Sequence, residues 1–310
     1  MMYKFLKQNA IYVVPLFLII LICVMVKIMW VDYMFEHSYT AYQKYGLTKL
    51  EKLFKIDTNY HVTNNYNVIF FYSHDYDVLP KYVYKTHRIL ENYCYRHGYK
   101  LLMINHNNDK NKISPYWLRV QDLIDLSIKY PEPNNVFIYL DLDTCLNPKY
   151  LNTPVTDLMD RIDHMHNTNW DIYVGTDTHQ SINAGAIIVK NTEWSKKFLL
   201  LWAYKYKNAY WVHNTQNKKW SCFTPIGNYC EWARDGYEQG EINNIYHNNE
   251  LSAKYHIAIL NSSIMSNNSI LLDSFIYHFY GDYAIPFYDI KIDGIDNLYK
   301  KFNKVIRSTL

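Results

Sequence analysis

Cysteine is scarce in this sequence, with 5 in 310 residues. That excludes a small fold held together mainly by disulfides. An excess of one charge is missing too. The 32 Lys and Arg stand against 29 Asp and Glu, a formal net charge of +3. So small and mixed a charge argues against nucleic acid as a partner. Internal repeats are absent, and no convincing linker breaks the chain after residue 67. Disorder is excluded by composition, because 49% of the residues are apolar and only 20% charged. What the chain has in abundance is Tyr, 32 of them, with Asn similarly frequent. Tyr, Asn, Lys and Ile recur where other residues would serve. That pattern reads as a bias of the source genome, and single Tyr or Asn residues carry less meaning for it.

One long apolar run is present, and it lies at the N-terminus. Residues 10–26 (AIYVVPLFLIILICVMV) are uninterrupted, and after Lys27 the run continues to Val31. At about 1.5 Å per residue it is long enough to cross a hydrocarbon core of roughly 30 Å. Lys27 can snorkel to the interface, and Trp30 and Tyr33 suit the aromatic belt. A cleaved signal peptide would have a shorter apolar core and small residues at its cleavage site. Here Lys, Ile, Met and Trp follow, so the sequence favours an uncleaved signal-anchor over 10–31. Lys4 and Lys7 precede the run, while Asp32 and Glu36 follow it. The positive-inside rule then keeps residues 1–9 in the cytosol and sends the body across the membrane. The expectation is a single-pass type II protein with its body lumenal, in the Golgi or ER, or otherwise extracytoplasmic. Glycosylation acceptors at Asn261 and Asn267 accord with that side. Cys222 and Cys230 are close enough to pair there, and two free thiols fit the sequence equally well.

Residues 32–65 are mostly polar and read as a stem. The body, 66–310, then alternates. A buried strand is expected at 68–72 (VIFFY) and an amphipathic helix at 81–97, stopped by Gly98. A strand at 100–104 follows, then a helix at 115–129 with Ser114 as its cap and Pro115 in its first turn. A third strand is expected at 136–140 (VFIYL). Strand and helix alternating at this spacing predict an α/β domain, a parallel sheet with helices on its faces. Beyond Asp141 the pattern changes. Strands are expected at 170–175, 184–189, 254–260 and 275–279, and helices at 193–205, 238–246 and 295–306.

The chemistry centres on 136–147, VFIYLDLDTCLN. A buried strand runs straight into Asp141, Leu142 and Asp143. Ligands of open α/β sheets bind at the carboxyl ends of strands. Two carboxylates spaced by one residue there can hold a divalent cation or orient a sugar-nucleotide. A bare D-x-D is weak, since Asp75-Tyr76-Asp77 is another; the preceding strand strengthens this one. A solvated turn is the plain reading. A phosphohydrolase that uses Asp141 as nucleophile is a rival, but Cys145 stands where that pattern wants Thr or Val. Further along come Asn183-Ala184-Gly185, read as a turn through which a ligand can approach the backbone, and Glu238-Gln239 at a helix start. His278 closes a late strand, with Gly281 after it.

In order and spacing, these segments resemble the retaining glycosyltransferases that include fungal α-galactosyl- and α-mannosyltransferases and plant xyloglucan xylosyltransferases. The likeness runs over 68–281: the Trp117-Leu118-Arg119 helix, D-x-D, the N-x-G segment 183–185, N-x-x-W-S at 191–195, an acid-Gln pair, and H-F-x-G at 278–281. The resemblance implies a GT-A fold on a type II membrane protein. It implies a nucleotide-sugar donor, a UDP-sugar or GDP-mannose, and a glycan or glycoconjugate acceptor. Asp141 would meet the donor ribose and the metal, Asp143 would be the principal carboxylate ligand, and His278 would complete the set. Imidazole beside carboxylates suits Mn²⁺ better than Mg²⁺. Arg119, where the family often has Lys, would reach the donor phosphates or sugar. Asn183 and Gly185 would line the sugar pocket, and Gln239 would lie under the anomeric carbon. Glu238 stands where the family commonly has Asp. Front-face transfer and double displacement through Glu238 both stay open. A non-catalytic glycan-binding protein on the same fold is the other alternative.

Overall fold

The computed structural model describes residues 65–107, 113–177, 181–216, 219–267 and 274–279. The expected anchor, the stem up to residue 64 and the helix at 295–306 lie outside these. Among the described residues no helix is long and apolar enough to cross a membrane.

The first half builds the scaffold by alternation. Its elements are β1 (Asn67–His74), α1 (Lys81–His97), β2 (Lys100–Asn105), α2 (Leu118–Lys129) and β3 (Asn135–Leu140). A short 3-10 turn, Pro115–Trp117, leads into α2. As the spacing predicts, β1 pairs in parallel with both β2 and β3. Successive β1 side chains point to opposite faces. Val68, Phe70 and Tyr72 pack in one core cluster with Val83, Ile89 and Leu90 of α1. Ile69 and Phe71 pack in the other with Val120, Leu123 and Leu126 of α2. The chain therefore passes from β1 to β2 over one face and returns to β3 over the other. That reversal opens a crevice at the C-terminal ends of β1 and β3, the usual ligand site of such sheets.

The second half adds β5 (Ile172–Thr176), β6 (Ile182–Lys190) and β9 (Ile257–Leu260). The full order is β2-β1-β3-β6-β5-β9. Here the sheet departs from a parallel one, because β6 runs antiparallel to both β3 and β5. Every residue of β6 is buried. A strand covered on both faces shows no alternation that would reveal its direction. The connection from Thr176 to Ile182 is also too short for a crossover, so β5 and β6 must be antiparallel. The expected strand at 184–189 begins earlier, so Asn183-Ala184-Gly185 lies within β6 and is not a turn.

The described residues include three further α-helices: α3 (Val155–His166), α4 (Glu193–Tyr204) and α5 (Glu238–His247). A small sheet is ordered β10-β11-β4, from β4 (Thr144–Leu146), β10 (Met265–Asn267) and β11 (Ile276–His278). A hairpin pairs β7 (Tyr210–Asn214) with β8 (Lys219–Phe223). Cys222 of β8 forms a disulfide with Cys230 beyond the hairpin, which resolves the two readings of that pair. The hairpin, α3, β4 and β10 were not among the sequence expectations.

Candidate active site

The D-x-D carboxylates owe their position to backbone pairing. The Asp141 N–H donates to Gly185 O at 2.7 Å, the last rung between β3 and β6. The chain then turns, and Asp141 O accepts from Thr144 N (3.0 Å) and Thr144 Oγ1 (2.7 Å). This turn delivers β4, which pairs antiparallel with β11 so that Thr144 faces His278. Phe279 N donates to Asp143 O at 3.0 Å, and Asn147 Nδ2 donates to Ser274 O at 2.8 Å. The two short strands thereby bring His278 to the carboxylates. Its Nε2 lies 3.2 Å from Asp143 Oδ1 and 3.5 Å from Asp141 Oδ2.

Asn183 and Gly185 lie behind this imidazole. Asn183 is buried, and its Oδ1 accepts the Gly185 N–H at 2.9 Å. The same oxygen is 2.8 Å from His278 Nδ1. An acceptor there requires the proton on Nδ1, which in the neutral ring leaves the Nε2 lone pair aimed at the two carboxylates. A Cβ on Gly185 would lie 1.9 Å from His278 Cε1. Gly185 thus makes room for the histidine ring itself. In this structure both residues hold His278, a placement different from the sugar-pocket lining that the resemblance implies.

On the other side of Asp141 stands Arg119, one residue into α2. Its Nη2 is 2.9 Å from Asp141 Oδ1, its Nη1 donates to Ala184 O at 2.7 Å, and its Nη1 is 3.6 Å from Glu238 Oε1. The guanidinium also lies over the Tyr139 ring, 4.8 Å from the centroid. Glu238 and Gln239 form the first turn of α5, as expected. Gln239 Oε1 accepts from Ala184 N at 3.0 Å, and Trp202 Nε1 donates to Glu238 O at 2.8 Å. Within this group two buried polar atoms, Arg119 Nε and Glu238 Oε2, have no hydrogen-bond partner among the described residues. All eight residues singled out from the sequence therefore gather around the end of β3.

The electrostatics are those of crowded carboxylates. Burial raises the pKa of Asp141, and Arg119 opposes that. Burial also pushes Asp143 up, but His278, backbone hydrogen bonding and Arg119 bring it below its ordinary value. Burial lifts Glu238 to about 7, against the pull of Arg119. His278 is raised: burial disfavours its charge, and Asp143 and Asp141 outweigh burial. Three acids thus share one arginine and one histidine. Asp141, Asp143 and His278 each offer a ligand atom, all within 4.8 Å of one another. Two hard oxygens and an imidazole nitrogen with its lone pair already directed are a donor set that fits a divalent cation such as Mn²⁺.

Sequence reasoning missed two groups nearby. Tyr139 Oη donates to Asp141 Oδ1 at 2.5 Å; it sits in the strand itself, where it passes for core. Beside the switch point, Asp122 Oδ2 accepts from Ser73 Oγ and lies 2.9 Å from His106 Nε2. These three come from β1, α2 and the end of β2, so no local spacing links them. The N-x-x-W-S segment, by contrast, is remote from the site. Asn191 Nδ2 donates to Tyr130 O at 2.7 Å, and Asn191 N donates to Asn135 O at 2.9 Å, at the start of β3.

A mixed α/β sheet with polar residues converging at its switch point defines a ligand-binding α/β domain. The model of the galactosyl transferase GMA12/MNN10 family matches residues 69–280. The chain belongs to that family and is a glycosyltransferase. No curated protein matches the sequence. Similar solved structures include a glycosyltransferase involved in glycosylation of the major capsid of PBCV-1, with 16% identity and TM-score 0.47, covering 76% of this chain and 99% of that one. Mouse xyloside xylosyltransferase 1 in its apo form has 10% identity and TM-score 0.36, covering 70% and 97%. The bifunctional glycosyltransferase WbbM has 11% identity and TM-score 0.32, covering 80% and 53%. Family membership sets aside the phosphohydrolase and the non-catalytic readings.

Proposed function

We propose that this glycosyltransferase has the GT-A fold and is a metal-dependent, retaining enzyme. It takes a hexose or pentose from a nucleotide-sugar, a UDP-sugar in preference to GDP-mannose, and joins it to a glycan or glycoconjugate hydroxyl. The observation that carries this is the meeting of Asp141, Asp143 and His278 with Arg119 and the Glu238-Gln239 pair at the end of β3. Asp141, Asp143 and His278 would hold Mn²⁺, which when bound supplies positive charge to the donor diphosphate.

The chain's own residues perform the rest. Arg119, fixed by Asp141 and Ala184 O, keeps its unpartnered Nε for a donor oxygen. Its charge stabilises the negative charge that grows on the departing diphosphate. Gln239 spends its Oε1 on Ala184 N and keeps its amide N–H groups for the sugar at the reacting carbon. Glu238, with Oε2 unpartnered, accepts from sugar hydroxyls. An amide is a poor nucleophile, so the Gln239 placement favours front-face attack by the acceptor hydroxyl, with the leaving phosphate oxygen taking its proton.

The apolar run at 10–31 is proposed as a signal-anchor that leaves the body on the lumenal or extracytoplasmic side. The Cys222–Cys230 disulfide supports an oxidising compartment, and the exposed Asn261 is open to glycosylation. The test is donor turnover by the full chain in detergent with Mn²⁺. UDP-galactose, UDP-xylose, UDP-glucose and GDP-mannose are each assayed for free nucleotide. Release from one donor, lost with EDTA and restored by Mn²⁺, is expected. A folded chain that neither binds nor cleaves any of the four overturns the reading.

A further inference from the structure

An aromatic cluster stands beside the site and is used by nothing described so far. Tyr116 precedes Arg119 by one helical turn, and Tyr237 directly precedes Glu238. Their ring centroids are 5.2 Å apart. Trp211, from β7, packs on Tyr237 at 5.0 Å and on Tyr116 at 5.7 Å. Trp232 completes the group, 5.0 Å from Tyr116 and 5.1 Å from Tyr237, with its ring at 79° and 62° to theirs. These edge-to-face contacts hold the indole in place, yet Trp232 stays 64% exposed. The exposed Glu231 and Arg234 flank it in the chain.

The segment is positioned with care for something so exposed. Trp211 Nε1 and Trp117 Nε1 both donate to Gly236 O, at 3.2 and 3.1 Å. Cys230, two residues before Trp232, is bonded to Cys222 of β8. A fixed, wet-faced aromatic with hydrogen-bonding neighbours is a surface built for a ligand. One tryptophan with two flanking polar side chains matches the apolar face and hydroxyls of a sugar ring. It is far smaller than a stable protein interface needs, about 1,000 Å².

We infer that Trp232, set on Tyr116, Trp211 and Tyr237, is the binding platform for a sugar ring of the acceptor glycan, next to Glu238-Gln239. This rests on the proposed transfer reaction, because that reaction needs an acceptor on the open side of the reacting carbon. Its test separates the two claims. The full chain and its Trp232→Ala and Trp232→Phe variants are assayed with Mn²⁺ for donor hydrolysis and for transfer to a panel of methyl glycosides and disaccharides of mannose, galactose, glucose and xylose. The same sugars are titrated in parallel by tryptophan fluorescence.

W232A is expected to raise the acceptor KM about tenfold, the size of one lost stacking contact, and to leave donor hydrolysis within about twofold. W232F should recover most of the loss. Sugar-dependent quenching should be present in the wild type and lost in W232A. An unchanged acceptor KM overturns the platform. So does a matched fall in hydrolysis and transfer, which marks a structural role, or loss of self-association in W232A with sugar binding intact. Should no donor be cleaved, the transferase mechanism fails by itself and quenching decides the platform. Quenching by none of the sugars overturns it.

Discussion

The two ends of the central sheet carry similar side chains arranged to opposite effect. At the end where β3 starts, charges are matched singly. Lys190 is buried and meets Asp163 at 2.7 Å and Asn169 at 2.6 Å. Asp171 meets His256 at 2.6 Å and the Thr192 hydroxyl. At the end where β3 stops, Asp141, Asp143 and Glu238 crowd around Arg119 and His278, three acids for two bases. Paired charges close a structure. Carboxylates in excess, packed this close, repel one another and favour a bound cation. The difference teaches which end is scaffold and which end acts, without reference to any relative.

The contrast is broken most severely at the scaffold end. Asp163→Ala leaves the Lys190 ammonium buried without its carboxylate. A stranded buried charge of this kind costs about 3–5 kcal/mol. The expected result is a large fall in the denaturant midpoint, while kcat per folded molecule stays unchanged. Next comes Asp143→Asn at the acting end. Transfer should fall about 100- to 1,000-fold, the range for losing one preorganised charge-stabilising contact. Thermal stability without metal should fall modestly at neutral pH, because the lowered pKa of Asp143 means that its charge, held by His278, stabilises the fold. A variant with wild-type turnover at equal Mn²⁺ would remove Asp143 from the proposed metal set.

A subtler break distinguishes lining from positioning. Asn183→Ala removes the acceptor that holds His278 Nδ1, without touching the carboxylates. Partners that orient a metal-bound histidine are worth about 10- to 100-fold in metal affinity. Titration calorimetry with Mn²⁺, in the absence of donor, should show that loss. If Mn²⁺ affinity is unchanged and only the donor KM rises, Asn183 belongs to the sugar pocket after all.

Much of this contrast was legible in the sequence, and the illegible part has physical reasons. The order β1-α1-β2-α2-β3 follows from apolar period and from stops such as Gly98. Asp141 and Asp143 were conspicuous because a buried strand runs into them. Glu238 and Gln239 at a helix start, and His278 at a strand end, also stand where expected. The direction of β6 was hidden, because nine buried residues read alike both ways. The pairing of β4 with β11 was hidden too, since three-residue strands have no period to detect. Without that pairing, Asn183 and Gly185 cannot be seen to serve His278. The helix α3 did carry a signal, with Val155, Leu158, Met159 and Ile162 at helical spacing. The N-x-x-W-S segment is instructive in the other sense. It helped to suggest the family, yet it builds the scaffold end: Thr192 Oγ1 caps α4 by accepting from Ser195 N at 3.2 Å.

That last point has the smallest and sharpest test. Trp194 stacks on His256 with ring centroids 4.2 Å apart, and its Nε1 donates to Leu251 O at 2.9 Å. Trp194→Phe keeps an aromatic ring on His256 and removes only that hydrogen bond, which lies near solvent. Water can replace the lost donor, so the cost should sit at the low end for a hydrogen bond, about 0.5 kcal/mol. In a body of this size that is a Tm shift of about 1–2 °C. β3 has six residues, so at about 3.3 Å each the scaffold end lies roughly 20 Å from Asp141. Changes so far apart, with no shared partner, add independently. W194F should therefore leave Mn²⁺ affinity and acceptor KM within about twofold of wild type. A larger change in either would mean that the two ends communicate through β3 and β6, and that the scaffold end takes part in setting the site.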